Sequence, residues 1–426
     1  MIPAPEVPLA LFDLDPLLHA MLDTAPDISD LNLSVGRPPQ VEIDGVLRPV
    51  PFAGVDRLMP YHTELIALRL LRGKRDLTEK LLRTGSADLS YSLSRRTRFR
   101  VNVFSQRGSY CVVLRVIPNR IPTVAELGLP RQLDEIAGER NGIVLLTGPT
   151  GSGKSTTLAA VIRRINEDKA IHIITIEDPI EYLHPPAKAT INQREVGADT
   201  QTFALALRAA LRQAPKVILV GEMRDQETIS IALEAAETGH LVLSTLHTID
   251  AAKTIDRIVG VFPKNEERQI RTRFSQSFKW IVSQRLVPKT GGGRLAICEI
   301  LRANSRTREY VQEGESEGKS LQDAMEAGSL DGMQTFDHEL ERLINAGVLD
   351  RETGLSYATN RTNLQLRLDT QGEEAEPEPL SLLPDQRPSG SFRVADPRRP
   401  AAAAEPRAVP SPADEAPTEL GDLLER

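Results

Sequence analysis

The sequence predicts an α/β protein with two folded domains, and three observations favour this fold class. Its 426 residues exceed the size of one ordinary hydrophobic core. Beyond residue 142, short apolar runs rich in β-branched residues (GIVLLT, IHIITI, KVILV, HLVLST) alternate with helical stretches. Hairpin-like strands precede them. We therefore expect a small α/β N-terminal domain over residues 1–117, a linker over 118–127 and a doubly wound parallel-sheet domain over 128–370.

The last stretch, residues 371–426, differs in composition from the rest of the chain. It carries twelve acidic residues against six arginines and ten of the 30 prolines. Few apolar or aromatic residues remain there to form a core, so we expect a disordered, Pro/Ala/Glu-rich tail. Most of the formal net charge of -7 comes from this tail. Residues 1–370 are nearly neutral, which argues against a nucleic-acid partner.

The two cysteines, Cys111 and Cys298, lie far apart and form no CxxC pair. Their spacing predicts neither a disulfide framework nor a tetracysteine zinc site, and it is typical of a reducing cytoplasm. No stretch approaches the roughly 20 apolar residues of a membrane span, and the N-terminus lacks a signal-peptide pattern. We expect a cytoplasmic protein that meets a membrane only through a partner.

The N-terminal domain is expected to contain hairpin strands, one helix and further strands, in that order. Alternating residues around Asp44-Gly45 predict a β-hairpin. A helix should follow from about Tyr61 to Leu82, and then strands in DLSYSL, FRVNVFSQ and YCVVLRVI. The prolines of PNRIPTVAEL mark the linker.

In the second domain, the segments STTLAAVIRRINE and TFALALRAALRQ are expected to form helices between the buried strands. Beyond Pro263 the sequence favours helices as far as about Leu368. In that region LAICEIL is expected to be the one further strand.

The segment GPTGSGKS fits the phosphate-binding template G-x-x-x-x-G-K-[ST], and it lies between a predicted strand and a predicted helix. The glycines allow backbone N–H groups to turn toward phosphate oxygens, and the helix N-terminus adds partial positive charge. Lys154 should reach the β- and γ-phosphates, and the Ser155 hydroxyl should bind magnesium. The expected nucleotide-binding residues are Gly148, Pro149, Thr150, Gly151, Ser152, Gly153, Lys154, Ser155 and Thr156.

Two acidic segments compete for the role of activating water. In KVILVGEMRD the predicted strand KVILV is followed by Gly221-Glu222, where many P-loop ATPases have an aspartate before the glutamate. Glu222 must therefore either reach the magnesium shell or serve as the base. ITIEDPIEY supplies Glu177, Asp178 and Glu181 after a strand whose end should open on the same crevice.

These three acids have a structural alternative. They could cap a helix, or they could form ion pairs with arginines, the candidates being Arg194, Arg208 and Arg212.

The P-loop, IEDPIEY, LRQAPKVILVGEMRD and ALEAAETGHLVLSTLHT occur in an order that resembles the Walker A, Asp box, Walker B and His box of the secretion-superfamily ATPases. Within that superfamily the chain resembles the type IV pilus retraction ATPases, the PilT family. RFRVNVFSQRGS, AAKTIDRIVGVFP and GMQTFDHELERLINAGVL extend the resemblance over about residues 25–368. It implies a PAS-like N-terminal domain, a RecA-like ATPase domain and a homohexamer that hydrolyses ATP with Mg²⁺.

The resemblance also implies roles for acidic and histidine residues. Glu181 would polarise the attacking water, with Glu177 as the second candidate, and Glu222 would be the Walker B acid on the magnesium side. His240 and His247 would sense the phosphate region and couple their strand to neighbouring subunits. For the two histidines the alternative is a packing role.

Three arginines, Arg98, Arg100 and Arg115, match the part of the N-terminal domain from which the family draws charge-neutralising arginines. Arginines in a run such as RRTRFR also occur on ordinary solvated surfaces. The choice among them stays open.

The resemblance implies a motor that couples ATP hydrolysis to type IV pilus retraction and twitching motility. It would act on an inner-membrane platform protein from the cytoplasmic side, beside paralogous retraction or assembly ATPases. Two departures keep alternatives open: SRTREYVQEG replaces an AIRNLIRE-like segment, and QAPK replaces the LRxDPD step, as in the accessory retraction paralogue. The alternatives are a pilus assembly or type II secretion ATPase and a weakly hydrolysing accessory subunit.

Overall fold

The computed structural model describes residues 13–25, 28–52, 55–93, 97–118, 120–316 and 319–371. These residues form two β-sheets with flanking helices, which confirms the predicted α/β fold class. Apart from Gln371, which ends the last helix, the predicted tail lies outside the described residues. The predicted domain boundaries stay predictions.

Among the described residues, the N-terminal sheet has six strands and is accompanied by three helices. In chain order these elements are α1 (Leu14–Leu22), β1 (Asp30–Leu33), β2 (Gln40–Ile43), β3 (Val46–Pro49), α2 (Pro60–Leu71), α3 (Arg75–Thr84), β4 (Ser86–Ser92), β5 (Arg98–Gln106) and β6 (Ser109–Ile117). The strands pair antiparallel in the order β3-β2-β1-β6-β5-β4. Apolar side chains of α1, α2 and the strands form one core beneath this sheet.

The predicted hairpin is confirmed as the β2–β3 pair. Ile43 pairs with Val46, and the two residues between them, Asp44 and Gly45, have φ values of 53° and 76°. A two-residue turn with positive φ at both positions matches the right-handed twist of the flanking strands.

The single helix expected from Tyr61 to Leu82 is wrong, because the structure has two helices there. α2 ends at Leu71 and α3 begins at Arg75. Gly73, between them, has a φ of 79°, which a continuing α-helix cannot contain. The helical periodicity of the sequence continues across this break and therefore conceals it.

In the part of the chain that the structure describes, the second sheet has seven strands. In chain order, these strands and the helices before and between them are α4 (Gln132–Glu135), β7 (Gly142–Thr147), α5 (Lys154–Asp168), β8 (His172–Glu177), β9 (Thr190–Glu195), α6 (Phe203–Ala210), β10 (Val217–Val220), α7 (Gln226–Glu237), β11 (Leu241–Leu246), α8 (Ala251–Gly260), α9 (Glu267–Ser277), β12 (Phe278–Pro288) and β13 (Arg294–Arg302). A short 3₁₀ turn, Ile136–Gly138, follows α4.

The strands of the second sheet lie in the order β13-β12-β7-β11-β10-β8-β9. Every pair from β12 to β9 is parallel, and β13 is antiparallel to β12. Successive residues of β7 face opposite cores: Ile143 and Leu145 pack in one cluster, Val144 and Leu146 in the other. The apolar runs are continuous because both faces of the sheet are covered.

The sequence pattern did not predict α1, β9 or β12. β9 is a polar edge strand, TINQRE, without the apolar run expected of a buried strand. β12 begins at the residue after α9 ends, so no turn signal separates the helix from the strand. The expectation that LAICEIL is the one strand beyond Pro263 is therefore wrong.

The C-terminal region beyond β13 is helical, as expected. Its helices are α10 (Ser305–Glu313), α11 (Leu321–Ala327), α12 (Phe336–Asn345), α13 (Arg351–Ser356) and α14 (Arg361–Gln371), with a 3₁₀ turn at Ser329–Asp331. Residues of α12, α13 and α14 pack with Val287 and Ile297 in a separate small core.

Trp280 on β12 is fully buried in the core on the α5 side of the sheet. Its Nε1 donates to Glu139 Oε1 at 2.9 Å. The guanidinium carbon of Arg302 lies 4.1 Å from the centre of its ring, within the range of a cation–π contact. These contacts fix Trp280, and with it β12, in the core of the second sheet.

Candidate functional site

The loop between β7 and α5 is shaped by its glycines. Gly148 has a φ of 143° and Gly153 a φ of 90°, which residues with a side chain rarely adopt. At Gly148 a Cβ would lie 2.3 Å from the carbonyl oxygen of Gln284, so the loop passes too close to β12 for a larger residue. The loop leads into the N-terminus of α5, where unpaired backbone amides favour an anionic ligand.

Lys154 and Ser155 are the first two residues of α5. Lys154 Nζ donates to the carbonyl oxygens of Gly148 and Pro149, at 2.9 Å in each case. Burial lowers the pKa of Lys154, and the carboxylate of Glu222 opposes this by raising it. Ser155 is exposed and lines the adjacent cavity. The loop therefore presents a largely buried ammonium group and an accessible hydroxyl to one space.

That space is a cavity of about 720 Å³ at the carboxyl ends of the parallel strands. The ends of β7, β8, β10 and β11 all contribute side chains to it, as expected for a ligand site of a doubly wound sheet. Its lining includes most of the predicted site residues, namely Thr150, Gly151, Gly153, Lys154, Ser155, Thr156, Glu177, Glu181, Glu222 and His247, and Asp178 lines it as well.

Glu222, after β10, is mostly buried, with 15% of its side chain exposed. Its Oε2 lies 2.6 Å from Arg224 Nε and 3.6 Å from His247 Nε2. His247 Nδ1 in turn lies 3.5 Å from the Thr150 hydroxyl of the phosphate-binding loop. The ends of β7, β10 and β11 are thus joined by polar contacts across the cavity.

The structure explains why glycine occupies position 221. A Cβ there would lie 3.3 Å from the carbonyl oxygen of Ile176, 3.4 Å from Glu177 Cα and 3.4 Å from the ring of Phe203. The Gly221 N–H donates to the Ile176 carbonyl at 2.7 Å. The end of β10 therefore packs against the backbone of β8, with little room for the aspartate of other P-loop ATPases.

The three acids of ITIEDPIEY lie in different environments. Glu177 is buried, and its Oε1 accepts from the Thr175 hydroxyl at 2.6 Å and from Gln193 Nε2 at 3.1 Å. Burial raises the pKa of Glu177. Asp178 and Glu181 are both exposed, and Asp178 precedes a cis peptide bond to Pro179.

Two of the three arginines proposed as ion-pair partners for these acids are engaged elsewhere. Arg208 pairs with Glu227 at 2.9 Å, and Arg194 donates to the carbonyl oxygen of Asp199 at 3.0 Å. Glu181 instead lines both the cavity of about 720 Å³ described above and a second cavity next to it.

The two His-box residues lie at opposite ends of β11. His247 follows the strand and lines the cavity. His240 precedes the strand, and its Nδ1 lies 2.9 Å from the Ala235 carbonyl oxygen and 3.2 Å from the Thr238 hydroxyl. The six residues of the strand separate the two histidines, which puts them roughly 23 Å apart at about 3.3 Å per residue. The structure therefore does not bring His240 to the cavity.

Of the three candidate arginines, two line a cavity and the third is held in an ion pair. Arg100 and Arg115 line the second cavity, of about 710 Å³, together with Glu181. Arg115 Nε also donates to Asp30 Oδ1 at 3.0 Å. Arg98, in contrast, pairs with the buried Glu195, with 3.1 Å between Nη2 and Oε2.

Two further side chains, Tyr182 and Gln284, contribute to the site although neither is predicted as a site residue from the sequence. The hydroxyl groups of Tyr182 and Thr156 lie 3.0 Å apart, which links the loop after β8 to α5. Gln284 Nε2 donates to the carbonyl oxygen of Ser152 at 2.6 Å, and its Oε1 accepts from the Thr157 hydroxyl at 2.9 Å. Gln284 was missed because β12 itself was missed.

The part of the chain that the structure describes contains no helix long and apolar enough to cross a membrane. Among the same residues, no group of three or more His, Cys, Asp and Glu side chains is arranged to hold a metal ion.

The chain is similar to known proteins over most of its length. The family model described as "Type II/IV secretion system protein" matches residues 40–292. A Pseudomonas aeruginosa protein named "Type IV pilus retractation ATPase PilT" is 44% identical over 330 residues, which cover 78% of this chain and 94% of that protein. The "Type IV pilus ATPase PilU" of the same organism is 38% identical over 376 residues, 87% of this chain and 95% of that protein.

A solved structure described as "Crystal Structure of the Pilus Retraction Motor PilT and Bound ADP" shares the fold. Its TM-score is 0.73 at 42% sequence identity, and the match covers 83% of this chain and 99% of that chain. The similarity in fold therefore extends well beyond the phosphate-binding loop.

Proposed function

This chain belongs to the type II/IV secretion system proteins and, within them, to the type IV pilus retraction ATPases, which hydrolyse ATP, and we propose that ATP hydrolysis in the cavity described above powers retraction of the pilus. The observation that carries the proposal is that Lys154, Glu181 and Glu222 line one cavity. They follow three strands of one parallel sheet, so a nucleotide at the loop would meet a cation and two carboxylates together.

The phosphate groups of ATP would be bound by the loop amides and by Lys154. Mg²⁺ would supply positive charge that stabilises the phosphate groups during transfer. The Ser155 hydroxyl and the Glu222 carboxylate would hold this ion, Glu222 directly or through water. Both groups fit that role because each offers an oxygen atom as a ligand for Mg²⁺ and both line the same cavity.

Glu181 is proposed to orient the attacking water and to accept its proton. Its exposed carboxylate is free to approach a water molecule, whereas the carboxylate of Glu177 is held by Thr175 and Gln193. Glu177 therefore remains the second candidate. Arg100 and Arg115, which line the second cavity together with Glu181, would meet negative charge that develops on the transferred group.

The proposed assembly follows the family to which the chain belongs. We infer a homohexamer at the cytoplasmic face of the inner membrane, where it acts on a platform protein of the pilus and beside paralogous ATPases. His240, remote from the cavity, would serve in coupling β11 to a neighbouring subunit.

A second candidate function is an accessory retraction subunit that hydrolyses ATP weakly. The similarity to PilU over 87% of this chain favours it. So does the altered segment SRTREYVQEG, most of which is α10. There Arg308 Nη1 donates to the carbonyl oxygens of Ser275 and Gln276, at 2.5 and 2.7 Å, and caps the C-terminal end of α9. Arg308 thus has a structural partner on this protomer.

The test is to measure magnesium-dependent ATP hydrolysis and nucleotide affinity for the purified wild type and three variants, Lys154→Ala, Glu181→Gln and Glu222→Gln. The same genes are introduced into a strain that lacks its own copy, and pilus retraction is scored. Glu181→Gln should lower kcat by about a hundredfold or more while it still binds ATP. Lys154→Ala should lose nucleotide affinity. The control is Glu227→Gln, at an exposed glutamate on α7.

Each outcome points to one function. Wild-type hydrolysis with restored retraction supports the motor. ATP binding with little turnover favours the accessory subunit, and full turnover without retraction favours an assembly or secretion ATPase. Normal hydrolysis by Glu181→Gln would show that the base has been assigned wrongly.

A further inference from the structure

Glu195, the last residue of the edge strand β9, is a buried carboxylate with hydrogen-bond donors from three separate segments. Its Oε1 accepts from the Ser90 hydroxyl on β4 at 2.5 Å. Its Oε2 accepts from Arg98 Nη2 on β5 at 3.1 Å and from the backbone N–H of Ile180 at 3.3 Å. Only 6% of the residue is exposed. One side chain therefore joins the N-terminal sheet to the loop after β8.

The charges around Glu195 make this contact costly to break. Lys74 lies near both Glu195 and Arg98. Burial lowers the pKa of Lys74, the carboxylate of Glu195 opposes this effect, and the positive charge of Arg98 adds to it. Lys74 Nζ donates to the carbonyl oxygen of Ser90 at 3.2 Å, which adds a second cation beside the carboxylate. A buried carboxylate that loses its cationic partner keeps its desolvation cost without compensation, so removal of Arg98 alone should weaken this contact between the two sheets.

The third donor connects Glu195 to the proposed catalytic loop. Ile180 immediately precedes Glu181 and is itself 2% exposed. Glu195 also pairs in register with Glu177, and the Val196 N–H donates to the Glu177 carbonyl oxygen at 2.8 Å. The carboxylate of Glu195 is thus fixed relative to β8 on one side and to the residue before Glu181 on the other.

We propose that Glu195 is a positioning residue that ties the N-terminal sheet to the loop carrying Glu181, and that Arg98 influences hydrolysis through Glu195. The inference rests on the proposed role of Glu181. It separates Arg98 from Arg100 and Arg115, whose side chains line the cavity next to Glu181.

Glu195→Gln tests this directly, because an amide has one acceptor oxygen where the carboxylate has two and cannot pair with the charge of Arg98. Freed from Glu195, the loop before Glu181 should adopt several positions. Since a displacement of about 1 Å can cost up to about a hundredfold in rate, kcat should fall by about tenfold or more. KM for ATP should stay within about twofold of wild type, because the phosphate-binding loop is not contacted.

Arg98 is then tested with Glu195 in a double-mutant cycle. If Arg98 acts through Glu195, Arg98→Gln should lower kcat to a similar degree, and Arg98→Gln/Glu195→Gln should be no slower than either single variant. Arg98→Lys, which keeps the positive charge, should recover part of the lost rate. Glu227→Gln again serves as the control, because Glu227 also pairs with an arginine, Arg208, but on an exposed surface.

A second readout is amide hydrogen exchange over residues 177–182 in the nucleotide-free protein. Both Glu195→Gln and Arg98→Gln should speed exchange in that segment, since both weaken what holds Ile180. An arginine that only neutralises phosphate charge would leave nucleotide-free exchange unchanged. If Glu195→Gln fails to fold, amide hydrogen exchange over residues 177–182 and kcat, both measured for Arg98→Gln, still test the positioning role.

The outcomes that overturn the inference differ from those that overturn the proposed function. Wild-type kcat and exchange in Glu195→Gln, or additive losses for the Glu195 and Arg98 variants, would reject the positioning role while Glu181→Gln stays inactive. Normal hydrolysis by Glu181→Gln, with Glu195→Gln slowed, would instead reject Glu181 as the base.

Discussion

Gln284 supports the phosphate-binding loop from a neighbouring strand: its Nε2 donates to the carbonyl oxygen of Ser152 at 2.6 Å. Its Oε1 accepts from the Thr157 hydroxyl on α5 at the same time. One buried side chain of β12 therefore fixes both the loop and the first turn of the helix that follows it.

Gln284→Ala should weaken ATP binding and lower stability. Both the Ser152 carbonyl and the buried Thr157 hydroxyl would lose their partner, at a cost of about 1–3 kcal/mol each if left unsatisfied. We expect Kd for ATP to rise by about tenfold, measured by titration calorimetry. Gln322→Ala, at an exposed glutamine on α11, is the control. Unchanged affinity in a folded Gln284→Ala protein would contradict this support role.

Gly221→Ala should destabilise the protein, because it adds the Cβ that an aspartate at this position would also require. The neighbouring backbone of Ile176 and Glu177 would have to shift by a few tenths of an ångström, which we expect to cost about 1–3 kcal/mol. Urea denaturation measures this. Gly260→Ala is the matched control, since nothing lies within 4 Å of its Cβ position. Equal stability of both variants would show that the space at Gly221 is not limiting.

The two histidines should differ when each is replaced by glutamine. His247→Gln should lower kcat by about tenfold or more, because His247 lies between Glu222 and Thr150 at the cavity. His240→Gln should lower the free energy of unfolding by about 1 kcal/mol, because the imidazole bonds the end of α7. Steady-state kinetics and urea denaturation distinguish them, with exposed His19→Gln as the control. The assignment fails if His247→Gln turns over ATP normally.

Glu299 should make stability depend on pH. Burial raises its pKa to about 7, with a further rise from Asp250 and opposition from Arg285. Its Oε1 accepts from the Ala251 N–H at 2.8 Å, at the start of α8. Between an unfolded pKa of about 4.5 and the folded value of about 7, the folded state keeps a proton that the unfolded state releases. The free energy of unfolding should therefore fall as pH rises through this window, and level off above it.

Glu299→Gln should remove this contribution. The stability difference between variant and wild type should shift in favour of the variant by on the order of 1.4 kcal/mol per pH unit within the window. Urea denaturation followed by circular dichroism at pH 5, 6, 7 and 8 measures it, with the exposed Glu64→Gln as control. A difference that stays constant with pH would show that Glu299 is ionised in the folded protein throughout.

The motifs and the buried strands could be predicted from the sequence because each leaves a local signal. Continuous apolar runs mark strands covered on both faces, and the comparisons confirm the family that the four ordered motifs indicated. The break at Gly73 could not be predicted, since one glycine within a helical pattern is compatible with a continuous helix.

The other features that could not be predicted depend on tertiary contacts, which leave no local signal in the sequence. β9 shows no apolar run because it is an edge strand, yet it ends in Glu195, whose burial depends on a lysine and an arginine distant in sequence. Gln284 reads as an ordinary polar residue until β12 pairs with β7 and brings it under the loop. The sequence predicts Lys154, Glu181 and Glu222 as site residues, but it gives no signal for Glu195 and Gln284, which contact the segments that carry Glu181 and Lys154.

Trp280, the one tryptophan of the chain, gives the second sheet an optical reporter of its own. It lies on the same face of β12 as Gln284, buried against Glu139 and Arg302. Its fluorescence will therefore change when water reaches the core beneath the phosphate-binding loop. Melting of the N-terminal sheet alone would leave that emission unchanged. Emission and circular dichroism recorded on one sample would reveal whether the two sheets come apart together or in sequence.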